Sequence, residues 1–134
     1  CQHNNEKARM FMKFLSTILT LTLTVGTLSL SAPAKAADVE SLLAGLCENV
    51  ATDNKSRLRK KLKEAGVKLR NIYDGITCGG EPLVRYAMIK NAQKAGTFIV
   101  KRMPASHFGS SGDLDWANAN GHGGSAIAKA IQSR

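Results

Sequence analysis

From Phe14 to Leu30 no side chain is charged; Met12-Lys13 stands directly before this run, and Ser31-Ala32-Pro33-Ala34-Lys35-Ala36 directly after it. A positive start, an apolar middle and small residues at Ala34 and Ala36 are the grammar of a secretory signal, with cleavage expected between Ala36 and Ala37. No other feature constrains the fold as much. It removes residues 1–36 and leaves 98 residues for one small domain. A domain of that size buries roughly two thirds of its unfolded surface, so its core is thin and a covalent staple would help it.

A retained anchor is the rival reading, but Ser16, Thr17, Thr20, Thr22, Thr24 and Thr27 interrupt a run of only 17 residues, which is marginal for spanning a bilayer. A lipid anchor is disfavoured because Leu43-Ala44-Gly45-Leu46-Cys47 has one residue too many and lies far from the apolar run. Cys1 is not an ordinary translation start, so residues 1–9 read as an upstream extension, with Met10 or Met12 as the start. The expected destination is the periplasm or the exterior, with no membrane span after processing.

Without the leader, Cys47 and Cys78 are the only thiols. In an oxidising compartment two such cysteines normally join, and closing a loop of this length stabilises by ~3 to 4 kcal/mol. A redox couple or half a metal site is the functional alternative, but there is no Cys-x-x-Cys and no obvious further ligand set.

Helical spacing recurs along the remaining chain. Val39, Leu42, Leu43, Leu46, Cys47 and Val50 mark a first helix over 38–51. Leu58, Leu62 and Ala65 give a narrow stripe on a second, basic helix that should stop at Gly66. Residues 67–80 read as a loop with a turn. Pro82 opens a third helix through Leu83, Val84, Tyr86, Ala87, Ile89 and Ala92. The segment 97–103 reads as a short helix between Gly96 and Pro104, 105–124 as a Gly/Ser-rich loop, and 125–132 as a terminal helix.

A shift of 41 residues sets Glu40-Ser41-Leu42-Leu43 on Glu81-Pro82-Leu83-Val84 and Leu58 on Ile99; a further 43 sets Pro82 on Ser125. The expected fold is therefore mainly α, two or three stacked helical hairpins pinned by one disulfide, with a small α+β fold as the alternative. The expected organisation is 1–36 signal peptide with upstream extension, 37–104 helical core, and 105–134 loop and C-terminal helix.

Leu46-Cys47-Glu48-Asn49-Val50, Asp53, Leu58-Arg59-Lys60-Lys61-Leu62-Lys63 and Leu69-Arg70-Asn71-Ile72-Tyr73-Asp74-Gly75-Ile76-Thr77-Cys78 form a string that continues through Gly80, Leu83, Ala87 and Gly96 to Val100-Lys101-Arg102. Over roughly 40–103 this string resembles domain-of-unknown-function family 3718. The resemblance implies small exported proteins of Gram-negative bacteria in which two cysteines frame a basic segment, and it supplies no catalytic residues.

The formal charge of the whole chain is +9, and +6 without residues 1–36. That excess favours lipid head groups, nucleic acid or acidic glycans without choosing among them. It is densest from Lys55 to Arg70, where eight Lys or Arg face only Glu64. Arg57, Arg59, Lys60 and Lys61 are the expected anion-binding face, set against the plainer reading of a solvated helix surface. The segment lacks aromatics for base stacking.

Other chemistry is weaker. Gly121-His122-Gly123-Gly124-Ser125-Ala126 echoes a dinucleotide fingerprint, but no strand precedes it and no ribose-binding acid follows. His107, Asp113, Asp115 and His122 have the chemistry of metal ligands, yet their spacing matches no known ligand pattern. Ser110 and Ser111 between Gly109 and Gly112 do not make a nucleophile elbow, although Ser111, His122 and an Asp converging in space would reopen catalysis. The reading is a non-catalytic binding or structural module with no cofactor and no metal, contacting an anionic surface or an envelope protein. A small enzyme or metal-binding protein using the C-terminal loop is the alternative.

Overall fold

A computed structural model describes residues 34–134. The leader expected over 1–36 therefore lies almost wholly outside the described residues. The first helix, α1, spans Ala34–Ala51 and so begins four residues ahead of the expected Asp38. The elements that follow are α2 Lys55–Glu64, α3 Leu69–Ile72 with a 3-10 turn at Tyr73–Gly75, β1 Thr77–Cys78, β2 Glu81–Pro82, α4 Leu83–Ile89, α5 Gln93–Arg102, α6 Ala105–Ser111, α7 Asp113–Ala119 and α8 Ala126–Gln132.

The helices pair as hairpins, and the hairpins stack. α1 packs with α2, α4 with α5, and α7 with α8. In the stack α1 lies against α4 and α4 against α7, while α2 lies against α5 and α5 against α8. Each layer buries its apolar face on the next, as expected of helical hairpins too short to hold a core alone. Leu46 and Val50 of the first layer, Leu58 opposite them, Leu83, Val84, Met88, Ile99 and Val100 of the second, and Ile127 of the third are all fully buried.

Each layer turns by the same local device. Asp53, Asn91 and Gly121 have left-handed backbones, with φ of 52°, 53° and 79°. The residue after each donates its N–H five positions back: Asn54 to the Asn49 carbonyl at 2.7 Å, Ala92 to Ala87 at 2.8 Å and His122 to Ala117 at 2.7 Å. This is the bond that closes a helix C-terminus when the chain reverses. It also corrects the repeat register: the reversals lie 38 and then 30 residues apart, instead of the 41 and 43 read from the sequence.

The layers are also tied by a borrowed cap. Ala92 precedes α5 and has no side-chain acceptor, and the Asp53 carboxylate from the first reversal takes the Ala95 N–H at 2.8 Å. α2 and α8 carry their own caps, Asn54 on Arg57 N–H and Ser125 on Ala128 N–H, each at 3.0 Å. Between the first two layers, β1 and β2 pair antiparallel, with Thr77 opposite Pro82 and Cys78 opposite Glu81. Gly79 and Gly80, at φ 59° and 82°, supply a two-residue turn in which both central residues need positive φ. The hairpin carries Cys78 to Cys47 of α1, and the two form a disulfide with a Cα–Cα distance of 5.7 Å.

Three expectations change. Residues 67–80, read as a loop, contain α3, the 3-10 turn and the strands. α5 begins at Gln93 and passes through Gly96, which was read as a boundary. Most of 105–124, read as a loop, forms α6 and α7; their Gly, Ser and Asn content hides a helical pattern whose buried members are only Asp113 and Ala117. The mainly α fold of stacked hairpins stands, and the small α+β alternative does not.

Candidate functional site

Leu58 and Leu62 are buried and seat α2 in the core. Their neighbours must then point outward or sideways. Arg57, Arg59 and Lys60 are exposed, and Lys60 reaches Glu64 one turn on at 3.7 Å. Lys61 departs from the expected exposed face: it is half-buried, lying so close over Gly45 that a Cβ there would collide with its side chain. The four expected cations are therefore not equally exposed. Arg59 faces a cleft that the other three do not line.

That cleft has a volume of about 500 Å³ and is walled by three segments. α2 contributes Arg59 and Lys63, α3 and the residue before it contribute Arg70 and Lys68, and the last turn of α5 contributes Lys101 and Arg102. Arg59 and Lys63 are four residues apart and share one helix face. Lys101 and Arg102 sit where a helix C-terminus favours cations. Leu62, Val67, Leu69 and Phe98 form the apolar floor, and the Arg102 guanidinium lies 5.1 Å from the Phe98 ring centroid. Among the described residues, no carboxylate lines the cleft. Six like charges around a concavity with a low-dielectric floor focus a positive field into it. Lys101 and Arg102 were missed as site residues because they lie on a different helix from the basic run.

A second polar group lies beside Tyr73. Arg85 of α4 donates from Nε to Asp113 Oδ1 at 2.8 Å and from Nη2 to the Ser111 carbonyl at 3.1 Å. The Asp113 side chain is only 3% exposed, so this pair is an internal brace holding α6 and α7 on α4. His107 Nε2 approaches Asp113 Oδ2 at 3.9 Å, and both atoms are buried with no hydrogen-bond partner. Tyr73 packs edge-on against the His107 ring at 4.8 Å, and its hydroxyl accepts the Val84 N–H at 3.1 Å. Burial holds the Tyr73 phenol well above its usual range, and the Asp113 charge adds to that against the lowering effect of the Val84 bond.

The C-terminal candidates divide accordingly. His107 and Asp113 come together, but His122 stacks on Trp116 at 5.7 Å and Asp115 is exposed. Ser111, His107 and Asp113 are neighbours, yet the Ser111 Oγ accepts the Asp113 N–H at 3.3 Å and is not paired to a base. Among the described residues, no group of three or more His, Cys, Asp or Glu is placed to hold a metal ion. The Gly121–Ala126 segment forms a reversal and the cap of α8, with Ile127, Ala128 and Ile131 buried behind it.

Residues 46–109 match the family model described as protein of unknown function (DUF3718). The match runs from Leu46 in α1 into α6, so it contains both cysteines and all six cleft cations. No curated protein and no solved structure matches the chain. Among the described residues, no helix is long and apolar enough to cross a membrane.

Proposed function

We propose a function for a chain whose residues 46–109 belong to the DUF3718 family: it is a non-catalytic, exported module that binds an anionic partner in the cleft between α2, the entry to α3 and α5. The carrying observation is the convergence of Arg59, Lys63, Lys68, Arg70, Lys101 and Arg102 on one concavity without a carboxylate among its lining residues. Folding brings these charges together at a repulsive cost that contributes nothing to the core. An anionic partner turns that cost into binding energy through ion pairing and counterion release. Arg57 and Lys60, outside the cleft, add to the surrounding field.

Export to the periplasm or the exterior is supported by the signal grammar of residues 1–36 and by the Cys47–Cys78 bridge, since disulfides persist in oxidising compartments. The Asp113 cluster is read as bracing because its Oδ1 is taken by Arg85, which also holds the Ser111 carbonyl, and its side chain is only 3% exposed.

Heparin retention tests the reading. The parent should bind at low salt and elute as salt rises. Arg59→Glu with Lys63→Glu should abolish retention with helicity preserved, whereas Lys60→Glu with Lys61→Glu should only weaken it. Co-elution of the Arg59/Lys63 variant with the parent would remove the cleft from consideration.

A further inference from the structure

The cationic cleft does not end at α5. Phe98 and Lys101 also line a second cleft of about 400 Å³, whose other walls include Lys55, Lys94, Gln93 and Thr97. Among the described residues, no carboxylate lines this one either. Lys94, Phe98 and Lys101 are spaced by four and three residues, so they lie on one stripe of α5. That stripe extends the positive surface by about 10 Å along the helix. The two clefts have Phe98 and Lys101 in common as lining residues, so they lie side by side along α5.

An anion that reaches both clefts across Lys101 must be extended, neither compact nor flat. The cations are recessed around a concavity, where a planar bilayer surface makes poor contact, and the only exposed large apolar side chains among the described residues, Val39 and Ile89, line neither cleft. Stacked nucleic-acid bases would need open aromatic faces. Among the described residues the one aromatic side chain lining either cleft, Phe98, is buried and already lies under Arg102.

The polar groups of the second cleft narrow the chemistry further. Thr97 donates its hydroxyl proton to the Gln93 carbonyl at 2.6 Å, which leaves its oxygen lone pairs free to accept. Gln93 Oε1 is buried and has no donor. Thr97 Oγ1, and Gln93 Oε1 once its side chain turns to the cleft, can accept hydrogen bonds, so they favour an anion that also carries donors. Sugars carry such donors; condensed phosphates in their ionised form do not.

We infer that the anionic partner is a linear acidic polysaccharide lying along α5 through both clefts. The inference rests on the anion-binding reading above and adds to it the partner's chemical class, its extended form and the roles of Lys55, Lys94, Gln93 and Thr97.

Calorimetric titration of the full chain, with its Cys47–Cys78 bridge intact, against heparin oligosaccharides of two, four and eight sugars tests it. Affinity should rise with length. Lys55→Glu with Lys94→Glu should weaken the octasaccharide by about tenfold, two lost ionic contacts, while leaving the disaccharide unchanged. Gln93→Leu should weaken the octasaccharide without affecting linear polyphosphate of matched charge. If the Lys55/Lys94 variant binds the octasaccharide like the parent while Arg59→Glu with Lys63→Glu still abolishes binding, the extended partner is wrong and the first cleft stands alone. If the Arg59/Lys63 variant also binds every oligosaccharide like the parent, the anion-binding reading falls with it. Polyphosphate binding as tightly as the octasaccharide overturns the assignment to a polysaccharide.

Discussion

Tyr73 shows how a single side chain reports on the interior of this domain. It is 4% exposed, and its hydroxyl accepts the Val84 N–H at the start of α4, so the phenol is held neutral inside a hydrogen-bonded core. Because folding raises its proton affinity, the stabilising effect is complete below the ordinary tyrosine range and is lost as pH climbs above it. There the unfolded chain gives up its proton while the folded one keeps it. Stability should therefore fall above about pH 10, by up to ~1.4 kcal/mol per pH unit from this group. Tyr73→Phe should cost about 1 kcal/mol at neutral pH through the lost hydrogen bond. It should also flatten the alkaline decline. Urea-unfolding midpoints for parent and variant at neutral and alkaline pH check both effects, and parallel declines would show that other groups dominate the alkaline limb.

The elements depend on close approach as much as on helical propensity. Gly96 lies buried inside α5, where an added Cβ would run into Ile127 of α8 and come within 3.2 Å of the Ala87 Cβ of α4. Here the second and third layers touch backbone to side chain. Gly109 is also helical, in α6, but has open space around its missing Cβ. The same substitution should then have opposite signs at the two sites. Gly109→Ala should stabilise by about 0.5 to 1 kcal/mol from helix propensity. Gly96→Ala should destabilise by roughly 1 to 2 kcal/mol, overpacking outweighing that gain. Equal shifts of the unfolding midpoint would contradict the stacking of α4, α5 and α8. From the sequence, Gly96 reads as a helix boundary, because a glycine that permits contact and one that ends a helix look alike until the neighbour is known.

At the scale of the whole molecule, the disulfide joins the first layer to the strand hairpin that leads into the second, across a sequence separation of 31. In a domain this small, restricting the unfolded chain is worth about 3 to 4 kcal/mol. Cys47→Ser with Cys78→Ser should lower stability by that order, and reduction of the parent should reproduce the loss. A variant as stable as the oxidised parent would assign stability to the stacked core alone.

Local signals were legible without coordinates where they act within a turn or two of chain: the end of α2 before Gly66 and the buried stripe of Leu58 and Leu62; the disulfide was expected from the two cysteines left once the leader is set aside. Signals that act across layers were not. α7 escaped notice because its fixed point is the Arg85–Asp113 pair, whose members lie 28 residues apart, and because a lone buried Ala117 gives no periodicity. The anion-binding face read on α2 became a groove only once α5 lay beside it, since Arg59 and Lys101 are neighbours through helix packing alone. Hydrogen bonds to the next turn are written into adjacent residues. The direction in which a charge points relative to another helix is set by which apolar faces bury each other, and that is settled by the stacking of the three layers.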